Sequence, residues 1–144
     1  MKNSRGYISI IAIFCMIATL AGCATPAVRA LGTDESQVKL RSIQTRAFDT
    51  TDKKKMMQTV ISTMQDLDFV IDKADLTLGS VTGSKFLGYA VVTMTVTVRP
   101  RGEKQLLVRA NAQYGIKSVE DAVTYQDFFT ALEKAIFLTA QQVD

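Results

Sequence analysis

Leu20-Ala21-Gly22-Cys23 is the stretch of this sequence with the most definite chemistry. A cysteine sulfur is the most nucleophilic side-chain atom a protein offers, as its thiolate. Here it follows two small residues that let an extended backbone enter a peptidase cleft. Before them, Tyr7 to Leu20 is apolar apart from Ser9 and Thr19, and Lys2 and Arg5 precede that run. The run is shorter than the roughly 20 residues of a bilayer span. A basic start, a short apolar run and small residues before the cut are the layout of an export leader. An ordinary secretory leader, or a short anchor with a chance cysteine, fits the same layout.

The remaining inventory excludes more than it offers. Cys15 lies inside the apolar run, and the sequence holds no histidine. That removes zinc sites built on Cys or His, Cys-His nucleophile pairs and Ser-His-Asp arrangements. Asp49, Asp52, Asp66, Asp68, Asp72 and Asp75 are acids of the kind that cleave glycosides in pairs. They fall at a helix cap and near turns, where structural roles suffice. Gly79 to Lys85 has the wrong spacing and the wrong Ser-Lys order for a phosphate loop, so its glycines read as a bulge and a turn. The expectation is a non-enzymatic protein without metal or cofactor.

In Leu20, Ala21, Gly22 and Cys23 the chain resembles bacterial lipoproteins, whose L-A-G-C lipobox it matches without departure. The resemblance implies that residues 1–22 are a removable signal peptide. It also implies that Cys23 receives a diacylglycerol and becomes the triacylated first residue of the mature chain. One myristoyl-sized chain holds only marginally, at about 0.8 kcal/mol per buried methylene, while several hold in effect permanently. Ala24 rather than Asp follows the cysteine, which by analogy with enteric bacteria favours the outer membrane, with the domain facing the periplasm.

Lysine and arginine number 17 against 14 acids, a net charge of +3. Lys2 and Arg5 would leave with the leader, taking the count to 15 against 14 and the charge to +1. Nucleic acid is therefore a poor partner, since its affinity needs a surplus of phosphate-neutralising charge. The expected partners are the membrane, through the acyl chains, and an envelope protein.

The rest of the chain must position whatever surface meets that partner. Residues 23–37, with Pro26, Gly32 and no apolar period, read as the acylated cysteine and a flexible tether, which spans roughly 20 Å as a coil and about 45 Å when stretched. Residues 38–144 read as one domain. Val38 to Phe48 alternates and predicts a first strand with an unusually polar face carrying Arg41 and Arg46. Asp49 is placed to N-cap a helix with Asp52 at its third position. Met56, Met57, Val60, Ile61 and Met64 recur at helical spacing. Lys53, Lys54 and Lys55 sit in that helix's first turn, as a solvated face or one for an anionic partner.

Two short strands follow, around Phe69-Val70-Ile71 and Ser80-Val81-Thr82. The clearest pattern comes next. Ala90, Val92, Met94, Val96 and Val98 alternate with Val91, Thr93, Thr95 and Thr97, and after a Pro/Gly turn Leu106 to Tyr114 alternates again. Two such runs predict an antiparallel hairpin with one apolar and one polar face. Ser118 to Asp121 and Thr124 to Asp127 both fit a capping box for a last helix striped with Tyr125, Phe128, Phe129, Leu132 and Ile136. The fold expected is α+β: an antiparallel sheet of about five strands with two helices on one face, in the order β-α-β-β-β-β-α. The candidate partner surface is Thr93, Thr95, Thr97, Arg109 and Gln113 on the polar sheet face, with Arg41 and Arg46 on the first strand. A lipid-carrier reading stays open, because Ala90, Ala110 and Ala112 are small residues on the apolar face.

Three stretches together, Arg41 to Asp49, Gln65 to Asp72 running on to Gly79 and Lys85, and Tyr125 to Phe129 before Lys134 to Leu138, resemble small proteobacterial outer-membrane lipoproteins of unassigned function. The middle stretch is similar in topology to one repeated domain of BamC, a lipoprotein subunit of the β-barrel assembly machinery. The single domain here departs from BamC's two-domain plan. Neither resemblance brings an active site, and shared topology does not transfer function.

Overall fold

A computed structural model describes the backbone of residues 34–141 and the side chains of 37–138. The expected signal peptide, Cys23 and the expected tether up to residue 33 lie outside the described residues. The elements run α1 (Asp34–Ile43), β1 (Thr45–Phe48), α2 (Lys53–Asp66), β2 (Val70–Asp75), β3 (Ser80–Leu87), β4 (Ala90–Arg101), β5 (Gln105–Tyr114), β6 (Lys117–Ser118) and α3 (Ala122–Gln141). The fold is α+β. Its sheet has the order β1-β5-β4-β3-β2, with every neighbouring pair antiparallel and β6 also paired with β5.

The start of the domain corrects the expected first strand. Val38 to Ile43 belongs to a helix, and only Thr45 to Phe48 pairs with the sheet. Leu40 and Ile43, three apart, pack on the core, a helical spacing that the apparent alternation masked. Arg41 stands in the last turn of α1, where a cation complements the helix dipole. The helix already covers Asp34 to Gln37, so the last four residues assigned to the tether are helical. The described residues thus hold three helices rather than two.

The other helices start where their caps allow. Asp52, not Asp49, caps α2: its carboxylate accepts from the Lys55 backbone N–H at 2.9 Å. Asp49 instead accepts from the Gln105 amide at 2.6 Å. Asp121 caps α3, accepting from both the backbone N–H and the hydroxyl of Thr124. Neither Ser118 nor Thr124 takes that role. An oxygen three residues ahead of a free N–H satisfies a donor that the helix cannot.

One face of the sheet carries the core. Met94, Val96 and Val98 of β4 and Leu106, Val108, Ala110 and Ala112 of β5 meet Val60 and Met64 of α2 and Tyr125, Phe128, Phe129 and Leu132 of α3. Val60, Val96, Val98, Val108 and Leu132 have no exposed surface, and each contributes roughly 1.5–3 kcal/mol by leaving water. Gly83 lies opposite the point where β2 shifts register between Ile71 and Lys73. A Cβ there would press on the Val70 carbonyl at 2.9 Å and on Met64 at 3.0 Å, which explains a side-chain-free residue inside a strand.

Candidate functional site

Because strand side chains alternate, burying Met94, Val96 and Val98 turns Thr93, Thr95 and Thr97 to the opposite face. Register then builds that open face row by row. Ser84, Thr93, Gln113 and Ser118 lie across from one another in one row, Thr82, Thr95 and Asn111 in the next, and Ser80, Thr97, Arg109 and Thr45 in a third. Strands about 4.8 Å apart bring such neighbours within contact. The hydroxyls of Thr82 and Thr95 are 3.1 Å apart, and Ser84 donates to the Asp72 carboxylate at 2.6 Å.

Two hollows sit on different sides of the sheet. On the open face, Thr95, Thr97, Arg99, Leu107, Arg109 and Asn111 line a depression of about 530 Å³. Its hydroxyls, amide and two guanidinium groups are donors of hydrogen bonds, suited to acceptor-rich surfaces. Arg109 is held in place by donating to the Gln44 side-chain oxygen at 3.2 Å. At the helical side, Leu67, Phe69, Leu87, Val92, Met94 and Phe128 contribute to an apolar groove of about 370 Å³, which Lys85 and Asp127 also line.

The structure therefore brings together Thr93, Thr95, Thr97, Arg109 and Gln113. It does not bring Arg41 or Arg46 to them. Arg41 is exposed on α1, off the sheet. Arg46 pairs with Val108, so it faces the helices, and its guanidinium lies 5.2 Å above the Phe129 ring. A cation over an aromatic face is a packing interaction, which takes Arg46 out of the candidate surface. Arg99 and Leu107 join it instead. The signal for Arg99 was present, two residues past Thr97 in the same register, but Pro100 made the strand look finished. In fact β4 continues to Arg101, and Pro100 pairs opposite Leu106.

The β2 edge of the sheet is poorly suited to pairing with another strand. The β2 edge carries the register shift together with Asp72, Lys73 and Asp75, features that blunt an edge. Among the described residues no cluster of three or more His, Cys, Asp or Glu side chains is placed to hold a metal ion. No helix among them is long and apolar enough to cross a membrane. The chain matches no protein-family model and no curated protein.

Proposed function

We propose that this protein is a membrane-anchored bacterial lipoprotein, held in the outer membrane through Cys23 with its domain facing the periplasm, and that the domain is a non-enzymatic accessory or scaffold subunit of an envelope complex. The observation that carries the reading is the open sheet face. Its Thr, Asn, Gln and Arg side chains form continuous rows that no helix among the described residues covers, while the opposite face is closed by α2 and α3. A tethered domain is confined beside the membrane, which raises its effective concentration for neighbours held there. The lipobox at Leu20 to Cys23 supports the place, and the rows support the role.

A photo-crosslinking residue introduced in cells at Thr95 or Asn111 tests the role. One envelope protein captured from both positions, and not from Lys54 on the outer side of α2, is the expected result. Equal capture from all three, or none from the sheet, would overturn it. Mass analysis of Cys23 tests the place, and an unmodified sulfur would remove the anchor.

The apolar groove beside Phe69 and Met94 favours a second reading, a periplasmic lipid or hydrophobic-ligand binding protein. Its volume falls at the small end of ligand pockets. Native mass spectrometry that releases a lipid from the intact protein would favour this reading over the scaffold.

A further inference from the structure

Two turns meet at one end of the sheet. The β3–β4 turn, at Gly88-Tyr89, and the β5–β6 turn, at Gly115-Ile116, lie side by side because Val92 pairs with Tyr114 and the Gly115 N–H donates to the Val91 carbonyl at 2.9 Å. Their side chains are large, apolar or aromatic, and in water. Phe86 is 77 % exposed, Ile116 98 %, and Tyr89 wholly so, with Leu87 and Tyr114 about half exposed. Isolated exposed apolar residues are ordinary, but a contiguous group of them marks a contact surface.

Two further observations say what covers this group. The first is charge: in residues 84–91 and 113–118 the only charged side chains are Lys85 and Lys117. Lys117 beside aromatic and aliphatic tips matches an anionic lipid surface, its stem lying along apolar matter and its ammonium group at the headgroups. The Lys85 ammonium is held back from the tip, donating to the Leu67 carbonyl at 3.0 Å and lying 5.6 Å from the Phe69 ring centroid. Asp127 stands behind the turns, in the groove that Lys85 also lines. The second is where the chain enters the domain. β1 runs antiparallel to β5 with Thr45 opposite Arg109 and Phe48 opposite Leu106, so tracing back from Thr45 leads toward Tyr114 and the turns. The Gln44 carbonyl accepts from the Ala110 N–H, and Lys39, Leu40 and Ile43 of α1 share a hollow with Glu120 and Ala122, which follow β6. Cys23 precedes α1 by only eleven residues, so a fully stretched connection reaches no more than about 40 Å.

We propose that Phe86, Leu87, Tyr89, Tyr114 and Ile116 insert as one tip into the headgroup region of an anionic phospholipid bilayer. The proposal rests on the anchored-lipoprotein reading for the source of that bilayer and for the bearing of the reach from Cys23. Insertion fixes the orientation of the domain: the sheet stands on its turns, and the open face with Thr95 and Arg109 is held sideways to the lipid, available to a neighbour. Tyrosine suits this depth, since its ring is apolar and its hydroxyl stays wet.

The chain contains no tryptophan, so Tyr89→Trp and Ile116→Trp each introduce a single reporter at a position that touches little. Leu78→Trp places the same reporter in the β2–β3 turn, at the opposite end of the sheet, where Leu78 is also exposed. The full chain, purified from membranes, is reconstituted into vesicles of phosphatidylethanolamine and phosphatidylglycerol containing a lipid brominated on its acyl chain. Expected are a blue shift and strong quenching for both tip reporters, with neither for Leu78→Trp. Both effects should weaken when phosphatidylcholine replaces the anionic lipid. Unquenched tip reporters overturn the proposal and leave the tip to a protein partner, and equal quenching at all three sites overturns it as well. The mass of the N-terminal peptide separates this outcome from the anchor: an acylated chain with a dry-shifted tip supports both, an acylated chain with an unquenched tip sinks the tip alone, and an unacylated chain with a quenched tip sinks the anchor alone. Thermal midpoints matching the unsubstituted chain establish that each variant is folded.

Discussion

The side-chain amide of Gln44 donates a 3.1 Å hydrogen bond to the phenolic oxygen of Tyr125, joining residues 81 apart in the chain. The same phenol donates to the Val119 carbonyl at 2.6 Å and accepts from the Ala112 N–H at 3.2 Å. Gln44 in turn accepts from Arg109 through its side chain and from Ala110 through its carbonyl. Both side chains are buried, so these partners replace the water each has lost. One polar knot therefore ties the start of β1, the β5 strand, the chain after β6 and α3.

Removing only the phenolic oxygen leaves three groups short of a partner, the buried Gln44 amide and Ala112 N–H and the partly buried Val119 carbonyl. Tyr125→Phe is expected to lower stability by about 1–3 kcal/mol with little change in shape. Urea unfolding checks it, and a loss within error of zero would show that water enters the site.

Thr63 presents the opposite case. Among the described residues its hydroxyl is the buried side-chain polar atom without a hydrogen-bond partner. Thr63→Val keeps the shape and removes the unmet group, so the variant is expected to match or exceed the parent, by up to about 2 kcal/mol. A clear loss in the same urea experiment would mean that the hydroxyl has a partner in solution.

Gly79 and Gly102 both adopt a left-handed backbone, with φ of 69° and 62°. A Cβ at Gly102 meets nothing within 4 Å, whereas one at Gly79 runs into the Val98 carbonyl and the Lys53 stem. The strained backbone alone costs about 1–2 kcal/mol, and overpacking adds about 1–3 kcal/mol more. Gly79→Ala should therefore be the more damaging of the two, measured as paired denaturation curves. Equal losses would rule out the close approach.

The Asp121 carboxyl is held below the usual carboxylate range, mainly by the Thr124 backbone N–H, then by the Thr124 hydroxyl and the Val123 N–H. A lowered folded pKa means the unfolded chain binds the proton more readily. The cap's charge thus contributes fully above the ordinary carboxylate range, about pH 4, and its contribution is lost as pH falls through the lowered value. Asp121→Asn keeps a capping oxygen without the titration. The difference in Tm between the two proteins should be constant near neutrality and shrink toward zero in acid. A difference that ignores pH would separate the cap from its charge.

The β4–β5 hairpin was legible because its evidence is local. Thr93, Thr95 and Thr97 alternate with Met94, Val96 and Val98, and that alternation alone assigns one set to the core and the other to the open face. The stripes of α2 and α3 were legible for the same reason. The first strand misled because a two-residue period sent Leu40 and Ile43 to opposite faces and hid that a helix brings both to the core. Its Gln44 sat among residues that looked solvent-facing, yet it is buried. Arg46 was grouped with Arg109 by type, and strand pairing put them on opposite faces.

By itself, then, the sequence determined the leader with its Leu20–Cys23 chemistry as an expectation, and the two-faced hairpin and the apolar stripes as features the fold contains. Only the tertiary structure decided that Gln44 is inside, that Arg46 covers Phe129 and that Tyr89 and Ile116 share one exposed tip. The physical reason is range. Alternation and helical spacing act between residues two to four apart, whereas a buried amide is tolerable only beside a partner that the chain supplies 81 residues later, and a tip exists only once register has brought two turns together.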